Sequence, residues 1–469
     1  MNYEELGFKA GLEIHQQLPH RKLFSHEPTE IRKDTPDFKI KRKLRARAGE
    51  SGAVDAAAKH EESKKKLFEY RGYYDTDSLV EIDEEPPHDP CPQAIHTALQ
   101  VAKLLHLTVA DSLQFMRKIV IDGSNVSGFQ RTGLVGFDGW IEVDGRRIGI
   151  ESVCLEEEAC QVIERKSKKD VYNLSRLGIP LLEIATAPDI TSPEECKKVA
   201  AEIGMLLRST ERVKRGLGTI RQDVNVSIEN GARTEIKGFQ DYRNIPAVVK
   251  NEVLRQQELI QSNQIVEKTV RKAEEDHSTT YLRPMPGSDR MYLETDVQPV
   301  PLDIEDVPVP TTIRERQNIF QSEYDVSEDM ATQAVSYEID TGMNISKRIE
   351  TYSSSSLSAT NIIEFYAIKS RDIPSTQFEK YSDIILEAIS DGQASYNAVD
   401  KMLEDVKAGN FSLENYTLMD EARLEDIIAQ IIANNPDAPQ GALMGMIMKE
   451  TQGKADGATA NQILQRLLH

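Results

Sequence analysis

Cysteine is scarce in this 469-residue chain, which has only four, at positions 91, 154, 160 and 196. Four cysteines in so long a chain do not build a disulfide framework, and they form no paired C-x-x-C zinc motif. Apolar runs of the roughly 18 residues that a membrane helix needs are also lacking. The N-terminal segment has no basic stretch followed by an apolar one, unlike a secretory signal. We therefore expect a cytoplasmic protein.

Basic residues are outnumbered by acidic ones, 57 lysines and arginines against 77 aspartates and glutamates, which gives a formal net charge of −20. Such an acidic chain does not hold nucleic acid electrostatically over its whole surface, so any RNA contact must be local. The main basic segment is Lys39–Arg47, with the sequence KIKRKLRAR. This segment is either a solvated basic stretch or a contact for phosphate groups.

The common phosphate-binding motifs are missing too. The sequence contains no G-x-x-x-x-G-K-[ST] loop, no dinucleotide fingerprint and no H-E-x-x-H helix. Any nucleotide chemistry must therefore depend on carboxylates that hold Mg²⁺ and on isolated basic groups.

The chain divides into three regions that differ in their predicted secondary structure. Residues 1–300 mix strand-like alternation with a few helices, which predicts an α+β domain with a largely antiparallel sheet. The proline-rich segment 298–310 is a plausible boundary. Residues 301–407 are predicted to form an all-helical domain, and residues 408–469 a small helical tail domain.

Several local signals define elements of the first region. Residues 139–153 predict a β-hairpin that turns at Asp144-Gly145. A second predicted hairpin turns at residues 229–231. Between them, Ser192 is the expected N-cap of a helix, and Glu195 completes a capping box.

One cluster of candidate site residues lies near the N-terminus. The segment GLEIHQQL predicts a strand whose period of two places Glu13, His15 and Gln17 on one face. A glutamate and a histidine two residues apart on one face either share a metal ion or form a structural salt-linked pair.

Two further segments carry carboxylates in unusual places. Glu156, Glu157 and Glu158 end a predicted strand, where their repulsion favours either a counter-ion or exposure to water. Glu183 lies within IPLLEIATA, a run that is otherwise apolar or small. A buried carboxylate costs several kcal/mol unless it is paired or bound to metal, which favours a functional role for Glu183.

The second hairpin also has a polar face. Alternation places Arg221, Asp223 and Asn225 together in the first arm, and Glu235 and Lys237 in the second. Such a face is either solvated or the floor of a polar cleft.

One surface could thus hold His15, Glu157, Glu183 and Asp223. Oxygen ligands with one histidine suit Mg²⁺ or Mn²⁺ better than structural zinc. A metal ion with lysine or arginine nearby is what phosphoryl transfer requires, although the phosphoryl acceptor is not evident from these residues.

The same segments carry a family resemblance. The chain resembles the archaeal E subunit of glutamyl-tRNA(Gln) amidotransferase, whose family includes the bacterial B subunit. The resemblance runs in order through almost all of the first 300 residues and returns in the tail at LMGMIMKETQGKA. Its segments are GLEIHQQL, RGYYDTDSLVEIDEEPPH, DGSNVSGFQRTGLV, LEEEA, LSRLGIPLLEIATAPDI, GLGTIRQDVNVSI and LRPMPGSDRMYLETD.

The resemblance implies a fold, a reaction and partners. The fold is a cradle domain with the kinase-like site, followed by a helical domain and a tail that grip tRNA. With ATP and Mg²⁺ as cofactors, the side-chain carboxylate of glutamate on tRNA(Gln) is phosphorylated, and ammonia displaces the phosphate to give Gln-tRNA(Gln). The ammonia comes from an asparaginase-like D subunit, implying a heterotetramer of two D and two E subunits.

The resemblance also implies roles for individual residues. Those matching the family's catalytic positions are Glu13, His15, Glu157 and Glu183, of which the last three are expected metal ligands. Those expected to line the nucleotide or aminoacyl pocket are Arg221, Asp223, Asn225 and Lys237.

Two departures from the family pattern stand out. The archaeal E subunit carries an inserted aspartyl-tRNA-synthetase-like domain, but this chain has only a short segment between Gln257 and Tyr281. The cysteines of a zinc site found in many relatives are also absent, Ser25 standing where cysteine is expected, so we predict no structural zinc.

Three other functions remain open. A B-type subunit of a three-component enzyme would keep the chemistry but use A and C partners, and could also accept Asp-tRNA(Asn). A non-catalytic tRNA-binding scaffold would have kept the fold alone, against which the intact acidic set argues. A free-standing kinase of small carboxylates would leave the helical regions without a purpose.

Overall fold

The structure is a computed structural model that describes residues 1–239, 241–285, 287, 290–436, 438–451 and 454–468. The chain forms two compact units, residues 1–312 and residues 313–469. The first is rich in sheet and the second is helical, which confirms the predicted α+β class. The finer division into three domains stays a prediction.

The first unit contains strands and helices in alternation. Its helices are α1 (Ala56–Ser63), α2 (Pro92–Leu104), α3 (Pro193–Ser209) and α4 (Ile245–Gln261). Its strands are β1 (Lys9–Gln17), β2 (Phe38–Arg42), β3 (Leu67–Gly72), β4 (Thr108–Val109), β5 (Ser112–Leu113), β6 (Phe115–Ile119), β7 (Phe129–Val143), β8 (Arg146–Glu157), β9 (Gln161–Arg165), β10 (Lys169–Asn173), β11 (Pro180–Thr186), β12 (Ile220–Ser227), β13 (Thr234–Phe239), β14 (Thr269–Ala273), β15 (Thr279–Pro284), β16 (Met291–Leu293) and β17 (Val300–Pro301).

Within the described residues, eleven of these strands form one large sheet. Its order is β15-β14-β13-β12-β1-β11-β8-β7-β6-β16, and β4 pairs with β7 outside this path. Neighbouring strands are antiparallel except for β13 and β14, which are parallel. A smaller sheet has the order β2-β3-β10-β9, with β3 and β10 parallel. The sheet is thus mixed and largely antiparallel, as predicted.

Helices α2, α3 and α4 pack on one face of the large sheet. Alternate residues of the central strands, such as Leu12, Ile14 and Val224, are buried beneath them in the main apolar core. Because side chains alternate along a strand, Glu13 and His15 point to the opposite face. That face carries the candidate site.

The predicted turn and helix cap are present. Asp144 and Gly145 both have positive φ, 51° and 75°, as a type I′ turn between β7 and β8 requires. The hydroxyl of Ser192 accepts a 3.1 Å hydrogen bond from the backbone N–H of Glu195, which caps α3 as predicted. The Glu195 carboxylate accepts from the N–H of Thr191, one residue before the expected donor.

The second unit is built from helices. They are α5 (Ile313–Tyr324), α6 (Glu328–Thr341), α7 (Ile345–Tyr352), α8 (Ala359–Glu364), α9 (Ser375–Ser390), α10 (Val399–Ala408), α11 (Glu421–Asn434), α12 (Gln440–Glu450) and α13 (Gly457–Leu468). Helices α5 to α10 share one apolar cluster, and α11 to α13 share a separate one. Across the described part of the chain, no helix is both long and apolar enough to cross a membrane.

Candidate active site

The site is centred on two neighbouring strands of the large sheet. In the antiparallel pair β1 and β11, His15 stands directly opposite Glu183. The imidazole Nε2 of His15 lies 3.3 Å from Oε2 of Glu183 and 3.5 Å from Oε1 of Glu13. The structure therefore brings together three of the four residues predicted to be catalytic.

Strands β8 and β6 add a carboxylate and a cation to this pair. Glu156 at the end of β8 and Lys118 of β6 form a 2.5 Å ion pair, and Lys118 Nζ also lies 3.3 Å from Oε2 of Glu183. The amide of Gln130 donates a 2.9 Å hydrogen bond to Glu156 Oε2. Atoms of His15, Glu156 and Glu183 that could hold a metal ion all lie within 4.8 Å of one another.

Glu157, the predicted ligand, lies on the other face of the sheet. It is 7% exposed, and its carboxylate is 3.2 Å from Nη1 of Arg131 and accepts from the backbone N–H of Arg131. Consecutive side chains of a strand point to opposite faces, so Glu156 and Glu157 cannot both join the cluster. The geometry replaces Glu157 by Glu156 in the candidate ligand set.

A second group of charges continues the site across β12 and β13. Asp223 stands opposite Glu13, and Asn225 opposite Gly11, on the same face as His15. Lys237 Nζ lies 2.6 Å from Oδ2 of Asp223 and also contacts the carboxylate of Glu235. Glu13, His15 and Asp223 form a second set of possible metal ligands that shares His15.

Arg221 occupies the end of this face. It stands opposite His15 in the register of β1 and β12, and it shares a face with Asp223 and Asn225 as alternation predicted. Its guanidinium, however, forms a 3.1 Å ion pair with Glu158 Oε1, and Glu158 also accepts from the side chain of Gln17. The structure thus gives Arg221 a carboxylate partner of its own beside the site.

The charges of the cluster are strongly coupled. Burial disfavours the imidazolium of His15, but its hydrogen bond to Glu183 and nearby carboxylates outweigh burial and raise the pKa to about 9. Burial opposes ionisation of Glu183, yet Lys118 and His15 hold the pKa of that carboxyl well below its usual range. Burial and the charge of Glu183 raise the pKa of Glu156 and of Glu13.

The two lysines balance these carboxylates. Burial opposes their charge, but Glu156 and Glu183 raise the pKa of Lys118, while Asp223 and Glu235 raise that of Lys237. The face of the large sheet that carries His15 therefore presents an alternating array of carboxylates and cations. Arrays of perturbed groups in a cleft are typical of active sites.

Part of this array, including His15, Glu183, Lys118 and Lys237, lines a cavity of about 460 Å³, a size suited to a small ligand. Its walls also carry basic side chains that sequence reasoning did not single out, namely Lys9, Arg233, Arg283 and Arg290. Among the described residues, neither Arg283 nor Arg290 forms an ion pair. Arg283 is in β15 and Arg290 directly precedes β16, which places residues from distant parts of the chain in one wall.

The donor set fits a hard divalent cation. Two carboxylates and one imidazole nitrogen suit Mg²⁺ or Mn²⁺, which prefer oxygen ligands. His15 and Lys118 supply the compensating positive charge in the structure, so a bound cation would compete with a proton on His15 and with the Lys118 ammonium.

Comparison with known proteins relates both units to described families. A family model for the GatB/GatE catalytic domain matches residues 8–307, and a model for the GatB domain matches residues 364–468. The E subunit of a glutamyl-tRNA(Gln) amidotransferase from Methanococcus maripaludis is 35% identical, and the alignment covers 100% of this chain and 99% of the relative. The protein of the same name from Methanocaldococcus jannaschii is 33% identical over 100% and 99% of the two chains.

A third relative is similar over a shorter region. The corresponding E subunit of Pyrococcus horikoshii is 54% identical over 259 residues, which is 55% of this chain and 41% of the relative. The Methanococcus alignment spans 627 positions, although this chain has only 469 residues. The relative therefore contains sequence that this chain lacks, in agreement with the missing insertion noted above.

Proposed function

The chain belongs to the GatB/GatE family, and on that premise we propose that it is the activating subunit of a tRNA-dependent amidotransferase. Its substrate is Glu-tRNA(Gln), whose glutamate side chain it phosphorylates with ATP and then amidates to give Gln-tRNA(Gln). The observation that carries the proposal is the cluster of His15, Glu156 and Glu183, two of which, His15 and Glu183, line a cavity together with Arg283 and Arg290.

The chemistry explains why activation is needed. A carboxylate is a poor acyl donor, because oxide is a poor leaving group. In the first step, a carboxylate oxygen attacks the γ-phosphorus of ATP, and ADP leaves with the electrons of the broken P–O bond. In the second step, ammonia attacks the acyl carbon and inorganic phosphate leaves. The acyl phosphate hydrolyses readily, so the site must exclude water.

The residues of the cavity suit these steps. His15, Glu156 and Glu183 would hold Mg²⁺, which when bound draws negative charge from phosphate oxygens. Arg283 and Arg290 line the same cavity, and we assign to them the phosphates of ATP and the charge on the transferred group. Lys118 keeps Glu183 ionised, and so preserves its capacity as a ligand.

The second charge group is assigned to the aminoacyl or nucleotide moiety. Asn225 and Lys237 line the cavity, and Asp223 positions Lys237 through their 2.6 Å ion pair. Glu13 lies 3.5 Å from His15 and orients its imidazole. Arg221 lies at the end of this face and is paired with Glu158. We assign to its guanidinium a contact with the terminal ribose or phosphate of the tRNA.

Ammonia is proposed to come from a separate subunit. The relatives named above are each called the E subunit of their enzyme, which supports a multi-subunit assembly. We propose an asparaginase-like D subunit as the partner, two of each subunit forming a heterotetramer, with tRNA(Gln) bound by the helical unit and tail.

The decisive experiment omits the partner. Glu-tRNA(Gln) is incubated with ATP, Mg²⁺ and ammonium chloride, and Gln-tRNA(Gln) is measured for the wild type and for Glu183→Gln. The exposed Glu164→Gln variant in β9 is the matched control. We expect product with the wild type and Glu164→Gln, and at least a hundredfold less with Glu183→Gln, about the loss of one preorganised charge contact.

The alternatives predict different outcomes. Equal activity of Glu183→Gln and wild type would remove the cluster from the reaction. Binding of Glu-tRNA(Gln) without product or ATP turnover in any of the three proteins would favour a tRNA-binding scaffold.

A further inference from the structure

A second cavity, of about 500 Å³, lies on the helix-covered side of the large sheet. It is bounded by the end of helix α3, by the loop between α3 and β12, and by the segment before α4. Gln16 and Gln222, which line it, alternate with His15 and Arg221 along β1 and β12, so this cavity and the candidate active site are on opposite faces.

The walls of the second cavity are predominantly basic. Its charged lining residues are Arg208, Lys214, Arg215, Asp241 and Arg243. Asp241, the acidic residue among them, pairs with Arg243 at 2.7 Å. Among the described residues, Arg208 has no ion-pair partner. Arg208, together with Lys214, whose ammonium donates to the backbone carbonyl of Thr29, leaves a local positive charge that favours an anionic ligand in a chain whose net charge is −20.

A buried amide gives the cavity a specific polar feature. The side chain of Gln222 is 3% exposed, and its amide oxygen has no hydrogen-bond partner among the described residues. A buried polar atom without a partner is costly, and a ligand that donates a hydrogen bond would satisfy it. A phosphate has only acceptors to offer when fully ionised, so the ligand must also carry a donor such as an amino group.

Aromatic and glycine residues complete the lining. Tyr242 is 38% exposed at the edge of the cavity, where its ring is available for stacking. Gly216 and Gly218 flank the fully exposed Leu217 and have φ of 110° and 81°, conformations that only glycine adopts without strain. This loop therefore lets backbone approach a ligand closely, as phosphate-binding loops do.

From these features we infer that the second cavity binds one nucleotide with an unpaired base. Its phosphate lies against Arg208 and Lys214, its base stacks on Tyr242, and an exocyclic amino group of the base hydrogen-bonds to Gln222. The ligand is either a free nucleotide or one nucleotide of a single-stranded RNA segment. This inference does not depend on the proposed amidotransferase activity.

The inference can be tested by substituting a residue of helix α3 with a larger one whose side chain fills the cavity. Gly204 lines it, and a Cβ added there meets no atom within 4 Å, so Gly204→Phe projects a ring into the space without a backbone clash. Gly204→Ala is the matched control, since alanine suits a helix and leaves the cavity open. Arg208→Glu, an exposed substitution, is the second variant in case Gly204→Phe folds poorly.

Binding is measured by calorimetry with AMP and with a 5′-phosphorylated tetra-adenylate RNA, without turnover. We expect about a tenfold loss of affinity for Gly204→Phe and Arg208→Glu, the loss of one stacked or charged contact, and wild-type affinity for Gly204→Ala. His15→Ala should retain this binding, which separates it from the candidate active site.

The two probes distinguish the sources of the ligand. Equal affinity for AMP and the RNA identifies a free nucleotide, whereas binding of the RNA alone identifies a strand; both outcomes support the site. If neither probe binds the wild type, or if all variants bind as the wild type does, the inference is wrong.

Discussion

Glu156 and Glu157 are adjacent in the chain but point to opposite faces of the large sheet. Glu156 joins His15 and Glu183, and Glu157 pairs with Arg131 at 3.2 Å in the opposite layer. Two chemically identical neighbours therefore have different surroundings. Substituting each glutamate in turn should distinguish a metal ligand from a residue that only forms an ion pair.

The first prediction compares these two positions. Glu156→Gln should weaken Mn²⁺ binding about 10- to 100-fold or more, because it removes a ligand, and should also lower the free energy of unfolding, because Lys118 would lose its 2.5 Å ion-pair partner. Glu157→Gln should leave Mn²⁺ affinity unchanged but lower the free energy of unfolding, because Arg131 would lose a buried partner. Mn²⁺ titration followed by electron paramagnetic resonance, with urea unfolding of both variants, checks this. Weaker Mn²⁺ binding in Glu157→Gln together with unchanged Mn²⁺ binding in Glu156→Gln would restore Glu157 as the ligand.

The second prediction concerns Lys237, whose ammonium lies between Asp223 and Glu235. Lys237→Met should lower kcat for ammonium-dependent amidation at least about a hundredfold, because it removes the cation that we propose to contact the aminoacyl or nucleotide group. Lys168→Met, an exposed change before β10, is the control and should be neutral. Measured kcat and KM for ATP in the two variants decide the matter; unchanged kcat in Lys237→Met would exclude Lys237 from the chemistry.

The third prediction is a pH dependence of stability. Glu252 is fully buried in α4; burial opposes its ionisation, but hydrogen bonds, first from Arg255, lower the pKa of its carboxyl below the usual 4.5. A depressed pKa in the folded state contributes stability above pH 4.5, and that stability is lost as the pH falls toward the folded-state pKa.

Glu252→Gln should therefore lose roughly 2–3 kcal/mol near neutral pH, the value of charged hydrogen bonds. The difference from wild type should shrink as the pH drops below 4.5. Urea unfolding at a series of pH values measures it, with the exposed Glu258→Gln as control. A difference that grows on acidification would contradict the pKa direction.

The fourth prediction tests whether the tail is a separate domain. Leu464 is fully buried in the apolar cluster of α11 to α13, whereas Leu467 on the same helix is 36% exposed. Leu464→Ala should destabilise the tail by about 2–5 kcal/mol, and Leu467→Ala should have little effect. Hydrogen exchange would show faster exchange confined to α11–α13. Equal acceleration in α5–α10 would mean that the helical unit unfolds as one body.

Much of the fold followed from local patterns. The strand of His15, the hairpin at Asp144-Gly145 and the cap at Ser192 were predicted, since each depends on alternation, turn chemistry or capping within a few residues. The sequence also predicts that His15 and Glu183 share one surface and that the Glu183 carboxylate needs a partner or a metal ion, and the structure places the two side chains 3.3 Å apart.

The rest depended on contacts between distant segments. Which of Glu156 and Glu157 faces His15 depends on the register of β8 against β11, and one residue of shift exchanges the two faces. Lys118 carried no sequence signal for the site, because its strand reaches the strand of Glu183 only through β7 and β8. Arg221 pairs with Glu158, which lies directly after β8 in a distant part of the chain.

The sequence by itself determined the residue types available for chemistry and the face on which each short segment presents them, because backbone alternation is a local property. Only the tertiary structure decided which of those faces meet, since strand order, register and the bulges of β7, β8 and β11 are set by packing across the whole sheet. For that reason the candidate ligand set and the second cavity emerged from the folded chain, while the abundance of carboxylates at the site was already evident in the sequence.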